Sequence, residues 1–381
     1  MEETGAEPIL GMARRRAQAL EVDIKEGSIS SLRKGRNPKT MFEPLSRLLP
    51  SHYKKRIDQG VPQPPTPREI VAGSLRCEVN GLVYPFFFLT KGKGMESIET
   101  RVVRREGDRT FEAVWRVTPH PACGRPGPLA HRVHRAVEQL ITERGLPVEN
   151  PIPFSIHNLC RRMGMKAGGT EYRKVREALV AIRGTQVESK GMFYAKNLAR
   201  YVDQVFSLYE RIIFTGERLP DGTRAERNLL YLGTWYMESL NSLYVKPLDY
   251  RYYLKLHTPI ARRLYELLGV KFYRVAEHPY PVIRYRYSTL CRLLPVKRHL
   301  YLSRMQQQLG PAHEELLRGG FLNAADDTPV PFQSDWYVSY RPGPKALAEI
   351  EANKRKTKKQ RESDGYGAYS SGLRGGRHDA G

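Results

Sequence analysis

Apolar positions along the chain change period several times, and each change predicts an element. Tyr84-Pro85-Phe86-Phe87-Phe88-Leu89 is a continuous apolar run of strand length. Ile98 to Arg105 and Phe111 to Val117 read as two strands, and Glu106-Gly107-Asp108 between them signals a hairpin. From Pro128 the spacing turns helical, with Val133, Val137, Leu140 and Ile141 on one face and Gly145 as the stop. Ser155 is placed to cap a short helix whose apolar face is Ile156, Leu159, Cys160 and Met163. Gly164 breaks that helix. Thr170 then opens a second one, reaching about Arg183, with Tyr172, Val175, Leu179 and Ile182 inward and Gly184 after its end. Strand-like pieces follow, Thr185 to Ser189 and Met192-Phe193-Tyr194.

A second block follows a similar plan. Asn228 to Trp235 and Tyr244 to Leu256 read as strands, and Thr258-Pro259 opens a helix with Ile260, Leu264, Leu267 and Leu268 on its apolar face. Ser288 is placed to cap a short helix holding Leu290, Cys291 and Leu294. A helix over about His299 to Leu309 turns Leu302, Met305 and Leu309 inward. Gly310-Pro311 is read as the start of another helix ending at Gly319-Gly320, and Trp336 to Tyr340 as a strand.

Helix, glycine-bearing turn, helix and strand hairpin is the order of a winged helix-turn-helix. The expected fold is therefore α+β, with tandem winged helix-turn-helix domains between basic arms. The divisions are an arm and Pro-rich linker over 1–78, a first domain over 79–215, a linker over 216–225, a second domain over 226–342 and a basic, disordered tail over 343–381.

Charge sharpens that picture. The 381 residues carry 63 Lys plus Arg against 40 Asp plus Glu, a net charge of +23, which favours a polyanionic partner. From Cys160 to Arg176 there are six basic residues and one acidic one, Glu171. On the second helix of the first block the apolar stripe points one way and Thr170, Arg173, Lys174 and Glu177 the other, a face able to reach base edges in a major groove. Arg161, Arg162 and Lys166 around the turn, with Lys190 beyond, are placed for phosphates. In the second block Ser303, Arg304 and Gln307 are the base-contact candidates, and Lys297 and Arg298 the phosphate candidates.

Other chemistry is poorly supported. The four cysteines, Cys77, Cys123, Cys160 and Cys291, lie far apart with no C-x-x-C pair, as reduced cytosolic thiols do. The first residues lack a basic stretch followed by an apolar one, so no secretory signal is expected, and no apolar run has membrane-spanning length. His131 and His134 are separated by two residues and have no accompanying Cys or carboxylate motif. None of the 22 tyrosines sits beside a recognisable activating base, and no phosphate-binding Gly-x-x-x-x-Gly-Lys-Ser/Thr loop occurs. Gly92-Lys93-Gly94 reads as a loop. No catalytic residue, metal or cofactor is expected.

Five stretches carry a family resemblance: Tyr84 to Lys91, Gly169-Thr170-Glu171-Tyr172, Leu248 to Leu254, Pro259 to Glu266 and Pro311 to Leu317. With them the chain resembles the bacterial plasmid replication initiator protein A family, relatives of the initiators of iteron-containing plasmids, over roughly residues 82–342. The resemblance implies a cytoplasmic, nucleoid- or plasmid-associated protein that binds repeated double-stranded sites at an origin. It also implies recruitment of the host helicase and host initiator, with monomer and homodimer forms in different roles. A winged-helix transcriptional repressor with no replication role and a DNA-nicking, rolling-circle type initiator are the alternatives.

Overall fold

The computed structural model describes residues 73–90, 96–106, 108–278 and 281–354. The Pro-rich run, the loop at Gly92-Lys93-Gly94 and the basic clusters of both termini lie outside the described residues.

Helices and strands both build the described fold, which is α+β. The first half contains β1 (Ser74–Glu78), α1 (Val79–Val83), β2 (Ile98–Glu106), β3 (Arg109–Pro119), α2 (Pro128–Arg144), β4 (Ile152–Phe154), α3 (Ile156–Arg162), α4 (Gly169–Arg183), β5 (Thr185–Ala195), β6 (Arg200–Ser207) and β7 (Tyr209–Ile213). The rest comprises β8 (Asn228–Leu232), α5 (Thr234–Asn241), β9 (Val245–Asp249), α6 (Tyr250–Lys255), α7 (Pro259–Val275), β10 (Ile283–Arg286), α8 (Tyr287–Leu293), α9 (Leu302–Arg318), β11 (Leu322–Pro329), β12 (Trp336–Pro342) and a helix over 344–354, called α10.

The expected β2–β3 hairpin forms, with Glu106 opposite Arg109, and extends into an antiparallel sheet of order β2-β3-β5-β6. Strand β5 bends midway, where the register slips between Ser189 and Phe193. Gly191 makes that bulge with φ of 60°, and a Cβ there would fall 2.5 Å from the Phe111 ring. In the second half β10-β12-β11 form a separate antiparallel sheet beside α7, α8 and α9.

Several local expectations give way to tertiary structure. Tyr84 to Leu89 is irregular, not a strand; Phe86, Phe87 and Phe88 are buried, Phe87 stacks on His131, and the Trp115 indole donates to the Pro85 carbonyl. Tyr244 to Leu256 is a strand followed by helix α6, capped by Asp249, whose carboxylate accepts from the Tyr252 N–H. Asn228 to Trp235 is strand only to Leu232 and then enters α5. Ser288 lies within α8, where its N–H and hydroxyl both donate to Asp335. Pro311 starts no new helix. α9 runs through it, because Met305, Leu309, Ala312 and Leu316 continue one buried face on both sides.

Three domain boundaries also shift. Segment 216–225 is the turn of the antiparallel β7–β8 hairpin, closed by Gly216 N–H to Ala225 O at 2.8 Å, where a linker was expected. Residues 74–78, expected at the end of an arm, form β1 and pair with β9, leaving Leu75 and Cys77 fully buried. Residues 344–354, expected in the disordered tail, form α10, held by a buried Lys345 that donates to Asp249 and pairs with Glu349.

Apolar burial falls into two clusters, one from Phe86 to Leu240 and one joining Leu75, Cys77, Leu82 and Leu89 to residues beyond Leu248. A polar seam connects them. Glu266 of α7 accepts from Arg135 of α2 at 2.8 Å and shares 2.7 Å with His131, while Arg263 donates to the Leu82 and Val83 carbonyls. Arg135 also pairs with Glu138, which accepts from the Tyr236 hydroxyl at 2.8 Å. Every one of these side chains is nearly sealed from water. Burial alone would raise the Glu266 pKa; Arg135 and His131 outweigh it and hold the carboxyl well below the usual range. Removing one member strands a buried charge, so Glu266→Ala should lower unfolding free energy by about 3–5 kcal/mol in denaturant titration.

Burial pushes the imidazoles of His134 and His313 from 6.5 down to about 4. Both stay neutral in the fold but take up protons on unfolding below 6.5. Their contribution is complete above that pH and is lost as pH falls from 6.5 through about 4. Burial pushes Glu78 the other way, to about 7, so its contribution is lost as pH rises from 4.5 to about 7. Unfolding measured against pH should show His313→Gln flattening the acid limb and Glu78→Gln the neutral one.

Candidate nucleic-acid interface

Helix α4 is positioned from beneath. Val175, Leu179 and Ile182 are fully buried, and α2 packs against the same face. Gly168, not Thr170, occupies the cap position, so Thr170 sits in the first turn. Ser155 does cap α3, accepting from Asn158 N–H at 3.4 Å. With the apolar stripe committed, Thr170, Arg173, Lys174 and Glu177 are all exposed. Arg173 lies 3.9 Å from Glu177 and Lys174 3.5 Å from Glu171, long pairs in solvent that hold neither cation firmly.

The turn residues separate into two kinds. Arg161 and Lys166 are exposed beside α4. Arg162 points elsewhere: both terminal nitrogens donate to the Glu143 carboxylate at 2.7 Å, and that bidentate pair holds Glu143 below the usual carboxylate range. The Arg162 carbonyl also accepts from the Tyr250 hydroxyl at 3.2 Å, tying α3 to α6. Lys190 belongs to a cross-strand ladder on the sheet, 3.2 Å from Glu188, which pairs in turn with Arg116, itself paired with Glu99.

Beside α4 stands a basic element that reading the sequence missed. The β7–β8 turn carries exposed Arg218 and Arg224 as cross-strand partners, with exposed Arg227 just beyond. Arg176 fastens this hairpin to α4: its guanidinium donates to Glu217 at 2.9 Å and lies 3.8 Å over the Phe214 ring. The Leu-Pro-Asp-Gly of the turn hid it, because turn chemistry looks the same in a hairpin and in a linker.

In the second half, Ser303, Arg304 and Gln307 are exposed on α9, and Arg304 donates to the Gln307 side chain at 3.0 Å. Lys297 and Arg298 are exposed just before that helix. Arg298 donates to the Ser334 carbonyl at 2.7 Å in the β11–β12 turn, and Gln308 donates to the Lys297 carbonyl at 3.0 Å. The exposed residues ahead of α9 are thus anchored to the hairpin beside it.

His131 and His134 face the polar seam, where His134 shares 2.9 Å with the Tyr209 hydroxyl. Among the described residues no group of three or more His, Cys, Asp or Glu could hold a metal ion, and no helix is long and apolar enough to cross a membrane.

The bidentate pair gives Arg162 a structural task. Arg162→Ala should lower stability by about 1 kcal/mol in thermal unfolding.

The family model described as Replication initiator protein A matches residues 80–278. No curated protein matches the chain. Among solved structures, the selenomethionine crystal structure of domains 2 and 3 of RctB aligns at 15% identity and a TM-score of 0.43, covering 67% of this chain and 94% of that one. A second crystal structure of RctB domains 2–3 aligns at 14% identity and a TM-score of 0.38, covering 74% of this chain and 99% of that one.

Proposed function

The chain belongs to the replication initiator protein A family, and from that premise we propose that it initiates replication by binding repeated duplex sites at an origin through two winged helix-turn-helix units. The observation that carries this reading is α4. Its buried stripe is fixed by the core while its opposite face offers Thr170, Arg173, Lys174 and Glu177 to solvent, beside a basic hairpin. The second unit has helix α7, strand β10, helices α8 and α9, and the β11–β12 hairpin, with β12 lying between β10 and β11. That strand order matches a winged helix and supports α9 as a second reading helix.

In this reading Thr170, Arg173, Lys174 and Glu177 read base edges. Ser303, Arg304 and Gln307 do the same from α9. Arg161, Lys166, Lys297 and Arg298 grip phosphates, joined by Arg218 and Arg224. Arg162 leaves the phosphate set, since both its terminal nitrogens are held by Glu143, whereas Lys190, exposed beside Glu188, stays in it. The Arg218–Arg224 pair supports a polyanion partner physically: two like charges directly opposite on a hairpin destabilise it, and a phosphate between them would reverse that cost.

Duplex binding would be specific, with recruitment of the host helicase and initiator as the step that follows. Monomer and homodimer forms would share the same reading faces. We further infer that the basic residues of both termini add affinity without sequence preference.

Arg173→Ala should weaken the preferred duplex by about 1–3 kcal/mol and relax its sequence preference, measured by competition binding against randomised duplexes. Equal weakening on every sequence would remove Arg173 from base reading. Arg218→Ala with Arg224→Ala should reduce the salt slope of binding by about two units with sequence preference intact.

A further inference from the structure

The β11–β12 turn displays an aromatic side chain in a setting that calls for explanation. Phe332 is fully exposed and has a φ of 58°, a left-handed backbone that a residue bearing a phenyl ring rarely adopts. The turn is not loose. Val330 N–H donates to Asp335 O at 3.0 Å, and buried Asp335 accepts from Ser288 and from Trp336 N–H. Arg286 reaches the Gln333 side chain at 3.0 Å, and Arg298 the Ser334 carbonyl at 2.7 Å. Two guanidinium groups therefore hold the two residues that follow Phe332, and the turn is tied to the segment that enters α9. That segment is itself apolar and open, with Leu300 62% and Tyr301 74% exposed.

Exposed aromatic and aliphatic groups framed by cations suit a nucleic acid better than a protein groove. The cations meet phosphates, and the apolar groups meet base faces. The nearby carboxylates do not oppose this: Asp335 is buried and saturated, and Asp326 and Asp327 are engaged by Arg341 and Gln306.

We propose that Phe332 is a wedge that enters a base step of bound duplex DNA, unstacking it and kinking the helix while α9 reads the adjacent groove. This deepens the reading of the second unit as a DNA-binding module and rests on it. The rigid turn sets the depth of insertion, and the left-handed backbone at Phe332 aims the ring away from the protein. Binding energy from the flanking arginines offsets the loss of stacking, so the wedge changes the shape of the DNA more than the affinity.

The test uses the full-length chain and a duplex selected by it from a randomised library. Thymine reactivity to permanganate reports unstacking, and electrophoretic phasing reports bend. Wild-type protein should expose thymines at one step of its footprint and bend the duplex. Phe332→Ala and Phe332→Gly should return both signals to those of free DNA while affinity drops by less than about tenfold. Phe332→Trp should keep them. Since Phe332 is fully exposed, none of these changes threatens the core. A wild-type complex with a clear footprint and no distortion would overturn the wedge and leave the DNA-binding reading standing, as would distortion unchanged in Phe332→Ala. Loss of self-association in Phe332→Ala with unchanged distortion would assign the patch to contact between copies and overturn the wedge. A wild-type chain that selects no sequence at all would instead sink the DNA-reading premise.

Discussion

The ion cluster around Glu266 is the constraint on which the described fold depends. A carboxylate sealed from water is tolerable only with its partners in place, and those partners come from both halves: Arg135 and His131 from α2, Arg263 from its own helix. Helix α2 is also the platform on which α4 packs, and α7 the platform for α9. The charges that cannot be separated thus set the positions of two helices whose other faces remain free. Both apolar clusters border this seam, and the seam gives them a definite register where greasy surfaces alone would permit sliding.

A division of labour among the basic residues follows. Arg135 and Arg263 are buried and structural, and Arg162 is engaged with Glu143. Arg161, Arg173, Lys174, Arg218 and Arg224 remain in solvent around α4. Net positive charge by itself does not distinguish these groups; accessibility and the presence of a fixed carboxylate do. The same distinction separates Arg298, anchored by one hydrogen bond to a turn, from Arg304 on the open face of α9.

What could be read from the sequence follows from the range of the forces involved. The faces of α4 and α9 were legible because helical period is a local property, and Val175, Leu179, Met305 and Leu309 are buried as that period requires; Leu302, expected inward, is exposed because α9 only begins there. The β2–β3 hairpin was legible for the same reason. Phe86 to Phe88 looked like a strand because composition cannot say whether an apolar run pairs with a neighbour or simply fills a core. Segment 216–225 looked like a linker because its role depends on β7 pairing with β8. The 344–354 helix was hidden by its charge: Lys345 is buried only because Asp249, far away in sequence, meets it at 2.7 Å. His131 gave no sign of its partner at Glu266. The residues around α4 were thus foreseen as a face, and the hairpin that flanks them was not.

Strand β1 has a consequence for how the chain comes together. Its antiparallel partner is β9, with Ser74 opposite Asp249 and Glu78 opposite Val245, so the intervening sequence must be made before the pair can close. Residues 74–78 emerge from the ribosome early and can meet α2, where Arg76 N–H donates to the Thr142 hydroxyl, but their strand partner β9 comes only with the second half. The halves are interleaved in the order of synthesis, although each has its own cluster of apolar side chains. Such long-range closure slows folding and exposes an unpaired strand edge during translation, when a chaperone would find it.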